Sequence, residues 1–535
     1  MKRLLTIVFF LAMKFYAEAQ NNDQGLQTKN RPNIILIVSD DHAYQAISAY
    51  GSKITTTPGI DRIAKEGVIF KRAYVTNSIC GPSRAVILTG KYSHKNGFKD
   101  NVTTRFDSSQ NTFIKELTSA GYQTAWIGKW HLQALPQGFT YWQVFPGQGS
   151  YYNPDVITMD GSMKRITGYA SNITEDLAEK WMNERDKSKP FCLVIGHKAP
   201  HRMWQPDTSD LGRFDSVTFP LPHNFYDDYK NREAARVQDM SIEKTMRMDY
   251  DLKMFDSTIG EYSILRMNSA QRARSDAYYA GIYADLKSKN LKGRELTEWK
   301  FQRYMRDYLS TAASMDRNIK RTLDYLDQNG LTQNTMVIYV SDQGFYLGEH
   351  GWFDKRFMYE ESFRTPMVMR YPGRIKQGTS NDDLVMNLDI GPTILEAAGL
   401  EPPGDMQGRS FLTRVAGEKE KNVSAQKPGE STGGKKKAGM EQTWRDAVYY
   451  HYYEHGEHSV SPHFGVRTER YKLIRFYDDV KAWELYDLDK DPQEINNIYG
   501  KKGMENVTAA MLKRLNELID HYEDLDAKKV LNVSL

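Results

Sequence analysis

The chain has 535 residues, of which 40% are hydrophobic, 12% aromatic and 26% charged. This length exceeds the usual size of one domain and the composition is that of a globular protein, so wholesale disorder is excluded and one large domain with a smaller companion is expected. The formal net charge of +4 is small for this length, so it does not indicate nucleic-acid binding, although a locally basic pocket for an anion is compatible with it.

The N-terminus has the pattern of a secretory signal peptide. The basic residues Lys2 and Arg3 precede an apolar run at 4–13, and Ala17-Glu18-Ala19 offers a cleavage site of small residues, so we predict that residues 1–19 are removed. The apolar run is too short to cross a bilayer, and no later stretch approaches the roughly 20 apolar residues of a transmembrane helix. Because no cysteine follows closely enough for a lipid anchor, we expect a secreted protein of the periplasm or extracellular space.

Strand and helix patterns alternate along residues 20–416. The apolar run 34–38 is typical of a parallel strand buried on both faces, and it ends at Ser39-Asp40-Asp41. The later predicted elements are a helix at 112–120, a strand at 123–128, a helix at 173–185, a strand at 191–196, a helix at 308–329 and a strand at 335–340. This alternation predicts an α/β domain with a large doubly wound sheet.

Polar residues gather where the predicted strands end, which is where doubly wound sheets bind their ligands. These residues are Asp40, Asp41, Lys129, His131, His201 and Asp342. Adjacent aspartates repel each other unless a cation neutralises them, although a turn or helix-capping pair is the alternative for Asp40 and Asp41. Asp342 and Gln343 add a carboxylate and an amide oxygen. Such an oxygen shell suits calcium or magnesium better than zinc, and we favour calcium over magnesium.

The chain changes character after residue 416. Residues 417–440 contain almost no apolar side chains and are interpreted as a linker or surface insertion. In residues 441–535, strand patterns at 447–450, 464–468 and 471–475 precede a helical pattern at 507–522. We therefore predict a smaller C-terminal α+β subdomain.

The sequence contains two cysteines, Cys80 and Cys192, which we predict do not pair. Cys192 lies in the buried strand pattern 191–196, where a thiol behaves as a small hydrophobe, whereas Cys80 lies in a turn-rich segment.

The segment around Cys80 carries a family resemblance. Cys80-Gly81-Pro82-Ser83-Arg84, followed by Leu88-Thr89-Gly90-Lys91, resembles the maturation and active-site motif of the type I sulfatases. The resemblance extends from residues 31–34 to residues 483–487 and implies the alkaline phosphatase/sulfatase type of fold. It also implies that a maturation enzyme oxidises Cys80 to formylglycine, whose hydrated aldehyde attacks the sulfur of a sulfate ester. An unmodified structural cysteine is the alternative.

The resemblance implies roles for individual residues. Asp40, Asp41, Asp342 and Gln343 correspond to metal ligands, and the modified Cys80 completes the shell. The family more often has Asn or His at the position of Gln343, but glutamine also presents an oxygen. Arg84 corresponds to the residue that holds the nucleophile.

Three further elements match catalytic segments of the family. Within 128–131, Lys129 corresponds to a lysine that binds a sulfate oxygen and His131 to a base that deprotonates the hydrated aldehyde. Within 197–201, His201 corresponds to the general acid that protonates the leaving sugar oxygen, and a surface histidine is the alternative. Lys355 corresponds to the second sulfate-binding lysine, with Arg356 as its competitor.

The runs at 452–455 and 465–474, together with residues 91–97, resemble the N-acetylglucosamine-6-sulfatase branch, and in related sulfatases the C-terminal subdomain contacts the sugar. His458, His463 and Arg467 are the implied substrate contacts; a metal cluster of the histidines at 455–463 is the less favoured interpretation. The expected reaction is removal of a 6-O-sulfate from N-acetylglucosamine or glucosamine in a glycosaminoglycan or mucin glycan. The alternatives are a sulfatase for another position, such as uronic acid 2-O or galactose 6-O, a phosphonate or phosphate monoester hydrolase, and a non-catalytic glycan-binding protein.

Overall fold

The computed structural model describes residues 31–255, 264–417 and 444–533. The predicted signal peptide, and all of the predicted linker except Gly417, lie outside these residues. Within the described ranges, no helix has both the length and the apolar character needed to cross a membrane.

Eighteen strands form the β-structure of the described residues. In chain order they are β1 (Asn33–Ser39), β2 (Val68–Phe70), β3 (Ala73–Tyr74), β4 (Gln123–Lys129), β5 (Tyr141–Phe145), β6 (Asp155–Thr158), β7 (Met163–Arg165), β8 (Phe191–Gly196), β9 (Thr335–Ser341), β10 (Tyr346–Leu347), β11 (Phe353–Asp354), β12 (Met367–Arg370), β13 (Thr379–Asn381), β14 (Val385–Met386), β15 (Ala447–Tyr452), β16 (His463–Thr468), β17 (Tyr471–Phe476) and β18 (Trp483–Asp487).

The main sheet has ten strands in the order β13-β2-β12-β9-β1-β8-β4-β5-β6-β7. Strand β1 is central and pairs in parallel with both β8 and β9, whereas β12 runs antiparallel to β9. The predicted large mixed sheet is thus confirmed. Side chains of β1 alternate between two cores, because Ile34 and Leu36 pack on one face and Ile35 and Ile37 on the other. Burial on both faces explains the continuous apolar run.

Helices cover both faces of the main sheet. The α-helices of the described residues are Pro58–Lys65, Cys80–Thr89, Ser93–Asn96, Phe113–Ser119, Ala170–Glu184, Glu233–Val237, Ser269–Lys289, Gly293–Gln328, Glu360–Phe363, Ile390–Ala397, Leu412–Ala416, Glu505–Tyr522 and Leu525–Val533.

Two of these helices differ from the sequence prediction. The helix expected to begin at Tyr308 begins at Gly293. Its first half is stabilised by burial of Phe301, Tyr304 and Met305 in an aromatic core, and this tertiary packing is not visible in the local sequence pattern. Cys80, expected in a turn, is the first residue of a helix in which all ten residues are buried, so the segment has no amphipathic period to recognise.

The C-terminal subdomain is a four-stranded antiparallel sheet, β15-β16-β17-β18, with the helix Glu505–Tyr522 packed on it. The sequence predicted its first three strands and this helix, but not the following helix Leu525–Val533. Aromatic residues of the sheet, including Tyr450 and Phe464, share one core with Phe357 and Tyr359 of the larger domain. The small sheet therefore packs directly against the region that carries Lys355.

Candidate active site

The ends of β1 and β9 bring two acidic segments together. Ser39 and Ser341 are in register as partners at the carboxyl ends of these strands, so Asp40-Asp41 and Asp342-Gln343 leave the sheet side by side. The backbone N–H of Asp41 donates to Oδ1 of Asp342 at 3.2 Å. Tyr308 of the long helix donates its hydroxyl to the carbonyl oxygen of Asp41 at 2.7 Å and so fixes this turn.

The acidic side chains form a compact, buried group. Oxygens of Asp40, Asp41 and Asp342 lie within 4.8 Å of one another, and all three residues are fully buried. Gln343 Nε2 donates to Asp41 Oδ1 at 2.5 Å and lies 3.7 Å from Cys80 Sγ. The four predicted oxygen ligands and Cys80 are therefore brought together at one place.

This group has the properties of a site for a hard cation. Burial, together with the neighbouring Asp40, raises the pKa of Asp342 to about 8, and burial also raises the pKa of Asp41 to about 6. Asp40 Oδ1 and Gln343 Oε1 are buried oxygens without a hydrogen-bond partner among the described residues. Unpaired buried oxygens are costly unless a cation or a proton satisfies them, so the donor set fits calcium or magnesium.

Cys80 faces this group from the first turn of its helix. Its side chain is buried, and burial, followed by the charge of Asp40, raises the pKa of the thiol well above its ordinary value. An unmodified thiol at this position is therefore held in its protonated, weakly nucleophilic form. Both cysteines are unpaired in the structure, as the sequence predicted.

Arg84 lies one helical turn beyond Cys80 and connects three strand ends. Its Nε donates to Asp342 Oδ2 at 2.9 Å, and its terminal nitrogens donate to the carbonyl oxygens of Lys129 and Ser39. Neither Arg84 nor Asp342 is exposed to solvent. The contacts orient the helix that begins at Cys80 relative to the carboxylates.

Two lysines contact different carboxylates of this group. Lys129, at the end of β4, donates to Asp40 and to Gln148, and Lys355 donates to Asp41 Oδ2 at 2.8 Å. Both ammonium groups are almost completely buried. Arg356, the alternative to Lys355, instead donates to Asp354.

Both predicted catalytic histidines lie beside the same group. His201 Nε2 is 3.8 Å from Asp41 Oδ2, and its Nδ1 is 2.6 Å from the carbonyl oxygen of Arg202. His131 Nδ1 is buried without a hydrogen-bond partner among the described residues. Burial lowers the pKa of both rings well below the usual value and so favours their neutral forms.

Several residues of the site have a left-handed backbone. Asp41, His131, Asp354 and Arg356 have φ values of 63°, 60°, 83° and 98°. Non-glycine residues adopt such conformations at a cost of about 1–3 kcal/mol each, and they do so mostly at functional sites. The strain flanks Lys355 on both sides.

The structure adds residues that the sequence analysis did not select. Lys198 is buried with its ammonium 4.8 Å from the ring centre of Tyr151, and burial lowers its pKa to about 7. Asp354 accepts from Arg356 and lies 3.1 Å from Nε2 of His458. Asp354 is directly beside the predicted Lys355, and Lys198 lies in the same short segment as the predicted His201. A charged residue within three positions of a predicted catalytic residue is the signal that could have found them.

The three predicted C-terminal contacts have different positions. His458 lies beside Asp354, close to Lys355. His463, in contrast, is fully buried, and its ring nitrogens face the backbone N–H of Met358 and the carbonyl oxygen of Ser461. Arg467 pairs with Glu360 and lies over the ring of Tyr74. All three residues use their polar groups inside the protein, since Nδ1 of His458 lies 2.5 Å from the carbonyl oxygen of Asp239 and its Nε2 faces Asp354. Of the three, His458 alone contacts a direct neighbour of Lys355, so its position favours a substrate contact more than those of His463 and Arg467.

Comparison with known proteins identifies the family. A family model described as sulfatase matches residues 32–400, more than half of the chain. The chain belongs to the sulfatase family. A second model, described as the C-terminal part of N-sulphoglucosamine sulphohydrolase, matches residues 422–521 of this sulfatase.

Individual relatives cover most of this sulfatase. It is 48% identical to an N-acetylglucosamine-6-O-sulfatase of Bacteroides thetaiotaomicron, with 94% of this chain and 89% of the relative aligned. It is 26% identical to the N-acetylglucosamine-6-sulfatase of Capra hircus, over 88% of this chain and 80% of that protein. A solved structure of a protein with its substrate D-glucosamine-2-N,6-O-disulfate is 47% identical, with a TM-score of 0.86, and the match covers 93% of this chain and 99% of that one.

Proposed function

We propose that this sulfatase hydrolyses the 6-O-sulfate ester of N-acetylglucosamine or glucosamine at the end of a glycosaminoglycan or mucin glycan. The similarity to a protein that was solved with D-glucosamine-2-N,6-O-disulfate as its substrate carries the choice of sugar, because it spans nearly both chains at 47% identity. The buried acidic group supports the reaction, because two cationic donors, Lys129 and Lys355, contact the carboxylates that are proposed to bind the metal.

The proposed metal is calcium, held by Asp40, Asp41, Asp342 and Gln343 together with the modified Cys80. A hard cation bound here would neutralise the three carboxylates and polarise an oxygen of the sulfate. With the carboxylates neutralised in this way, the ammonium groups of Lys129 and Lys355 would be available to bind sulfate oxygens. In the structure each lysine is paired with one carboxylate, and this supports the proposal that a sulfate oxygen takes the place of the carboxylate as its partner.

The proposed nucleophile is formylglycine at position 80, produced from Cys80 by a maturation enzyme. The hydrated aldehyde supplies a hydroxyl that forms the covalent sulfate ester and a second hydroxyl that later expels the sulfate. Arg84 holds the helix that presents this residue, and His131 takes the proton of the second hydroxyl. The high pKa of the unmodified thiol supports the need for the modification.

His201 is the proposed general acid. Its Nδ1 faces the carbonyl oxygen of Arg202, which leaves Nε2 directed toward the carboxylates, where the ester oxygen would lie. A bound sulfate adds negative charge beside the ring and favours its protonated form. The leaving sugar alkoxide then receives the proton from Nε2.

The sugar is proposed to lie toward Asp354, Arg356 and His458. These residues form one hydrogen-bonded cluster next to Lys355, and a carboxylate with a guanidinium group is suited to bind neighbouring sugar hydroxyls. Export to the periplasm or extracellular space is proposed from the N-terminal pattern of residues 1–19.

Product analysis tests this function. The mature enzyme, expressed with a sulfatase-maturation partner, is incubated with monosulfated glucosamine, galactosamine, galactose and uronic acid substrates, and Cys80→Ala serves as the inactive control. We expect sulfate release from the 6-sulfated glucosamine and none from the Cys80→Ala variant. Release from another sugar would contradict the specificity, and undiminished activity of the variant would contradict the mechanism.

A further inference from the structure

The segment that carries Lys355 is bound by the C-terminal sheet. Residues 354–360, called here the Lys355 segment, accept hydrogen bonds from Tyr450 in β15 and Lys472 in β17, and donate one to His463 in β16. We propose that the C-terminal sheet holds this segment in its active conformation, with Tyr450 and His463 as positioning residues for Lys355. The proposal rests on the proposed role of Lys355 in binding sulfate.

Tyr450 connects the two sides of the active site through one hydroxyl group. The hydroxyl donates to the carbonyl oxygen of Arg356, the residue after Lys355. It also accepts the backbone N–H of Ser78 at 3.2 Å, two residues before Cys80. The side chain is fully buried, so water cannot substitute for either bond. This one hydroxyl group therefore connects the backbone just before the Cys80 helix to the Lys355 segment.

His463 and Lys472 fix the middle of the same segment. Nε2 of His463 accepts the N–H of Met358 at 3.1 Å, and Nζ of Lys472 donates to the carbonyl oxygen of Met358 at 2.8 Å. Both backbone groups of Met358 are thus bound by side chains of the C-terminal sheet. Burial lowers the pKa of His463 to about 3, so its ring is neutral and Nε2 remains an acceptor.

The end of the segment has additional bonds to the same subdomain. Tyr359 donates its hydroxyl to Glu484 Oε2 at 2.8 Å, and the N–H of Glu360 donates to Glu494 Oε2 at 2.6 Å. Glu494 is in turn paired with Lys472 at 2.8 Å. The C-terminal subdomain therefore binds the segment at four residues: Arg356, Met358, Tyr359 and Glu360.

The backbone conformation explains why the segment needs such support. Asp354 and Arg356, on either side of Lys355, have φ values of 83° and 98°, which side chains other than glycine rarely adopt. A strained backbone persists only where the surroundings determine it. Without the bond to its carbonyl oxygen, Arg356 is expected to relax toward negative φ, and Lys355 would move away from Asp41.

Tyr449 provides a matched control on the same strand. Its hydroxyl is also fully buried, and it donates to Asp524 Oδ2 at 2.8 Å, within the C-terminal subdomain. Tyr449→Phe deletes this one buried hydrogen bond, whereas Tyr450→Phe deletes the two that its hydroxyl makes with Arg356 and Ser78. Only the Tyr450 hydroxyl contacts the active-site segments, so a purely structural role predicts a loss of stability in both variants and no selective change in residues 354–360.

Hydrogen exchange, measured by mass spectrometry on the full mature chain, tests whether the C-terminal sheet holds the Lys355 segment, without any assay of activity. We expect peptides covering residues 354–360 to exchange faster in Tyr450→Phe than in the wild type, and to be unchanged in Tyr449→Phe.

Substitutions of His463 provide a second pair of variants for the same measurement. At position 463, asparagine carries its amide near the place of Nδ1 and glutamine near the place of Nε2. His463→Gln should therefore retain the protection of Met358, and His463→Asn should lose it.

Kinetics on the sulfate ester that the wild type cleaves best provide the second measurement. Because a displacement of about 1 Å costs up to ~100-fold in rate, kcat/KM should fall at least about tenfold in Tyr450→Phe and His463→Asn, and much less in Tyr449→Phe and His463→Gln. Equal losses in the two tyrosine variants, or faster exchange without a loss of kcat/KM, would overturn the positioning role. A wild-type enzyme that cleaves no 6-sulfated glucosamine would refute the proposed substrate. The exchange experiment would still show whether the C-terminal sheet holds the Lys355 segment.

Discussion

Arg84 Nε lies 2.9 Å from Oδ2 of Asp342, and solvent reaches neither side chain. The pair joins the helix that begins at Cys80 to the end of β9. Removing one partner of a buried pair leaves the other charge uncompensated, so Arg84→Met should lower the free energy of unfolding by about 3–5 kcal/mol. Urea unfolding measures this difference. Lys180→Met, which removes an exposed partner of Glu184, is the control and should have no clear effect; equal losses in both variants would contradict the expectation.

The general-acid role of His201 predicts a dependence on the leaving group. A sugar alkoxide needs a proton to depart, whereas a nitrophenolate departs without one. His201→Ala should therefore lower kcat/KM by about 10²–10⁴-fold on a sulfated sugar and far less on an aryl sulfate. Steady-state kinetics on the two substrates provide the measurement. Parallel losses on both would remove His201 from this role.

The proposed calcium site predicts a dependence of stability on calcium. Chelation should lower the melting temperature and abolish turnover, and added calcium should restore both. Free calcium at 100 times its dissociation constant would contribute about 2.7 kcal/mol of stability. Asp40→Asn should weaken the calcium-induced shift in melting temperature, because it removes one charge from the buried group.

Asp176→Asn is the matched control for calcium, since Asp176 is an exposed carboxylate paired with Arg321. Its calcium-induced shift should equal that of the wild type. Restoration by magnesium but not by calcium would show that the choice of metal is wrong. No response to either ion would contradict a metal site.

Glu175 predicts a dependence of stability on pH. It is fully buried, both its oxygens lie within 2.9 Å of Thr322 Oγ1, and burial raises its pKa from 4.5 to about 8. A carboxyl group whose pKa is raised by folding is protonated in both states below pH 4.5, so it costs nothing there. Between pH 4.5 and about 8 the unfolded state ionises first and gains stability relative to the folded state.

The contribution of Glu175 should therefore destabilise the folded protein by about 3 kcal/mol at pH 7 relative to pH 4.5. Glu175→Gln keeps a donor and an acceptor without a titrating group, so it should raise the melting temperature at pH 7 more than at pH 5. Glu184→Gln, on the same helix but exposed, is the control. An identical pH profile of wild type and Glu175→Gln would contradict the assignment.

The sequence predicted the centre of the sheet well because β1, β8 and β9 are buried on both faces. Such strands appear as uninterrupted apolar runs, and the polar residues that follow them, including Asp41 and Asp342, mark the edge where the site forms. The strands β6, β7 and β13, which lie at or next to the ends of the sheet, were missed, since they are short and have at most one buried side chain each. The helix Ser269–Lys289 was also missed, because few of its residues are buried.

The site residues were predicted from motifs, and the structure shows what motifs cannot encode. His463 was chosen as a substrate contact from the resemblance to sulfatases whose C-terminal subdomain contacts the sugar, yet it begins β16, and its ring packs between Phe357, Phe476 and Tyr450. Tyr450 was not chosen at all, because its contact with Arg356 joins residues 94 positions apart. Contacts between distant segments depend on tertiary packing, which a local pattern does not specify.

Strands β1 and β9 lie side by side, although Asp41 and Asp342 are separated by 301 positions in the chain. Contacts between such distant residues form late, because the entropy of closing a long loop must be overcome first. A growing polypeptide therefore cannot assemble the complete acidic group until residue 343 has been synthesised. Tight calcium binding would thus serve as a reporter of completed folding, and a chain truncated before β9 should retain only weak affinity for the ion.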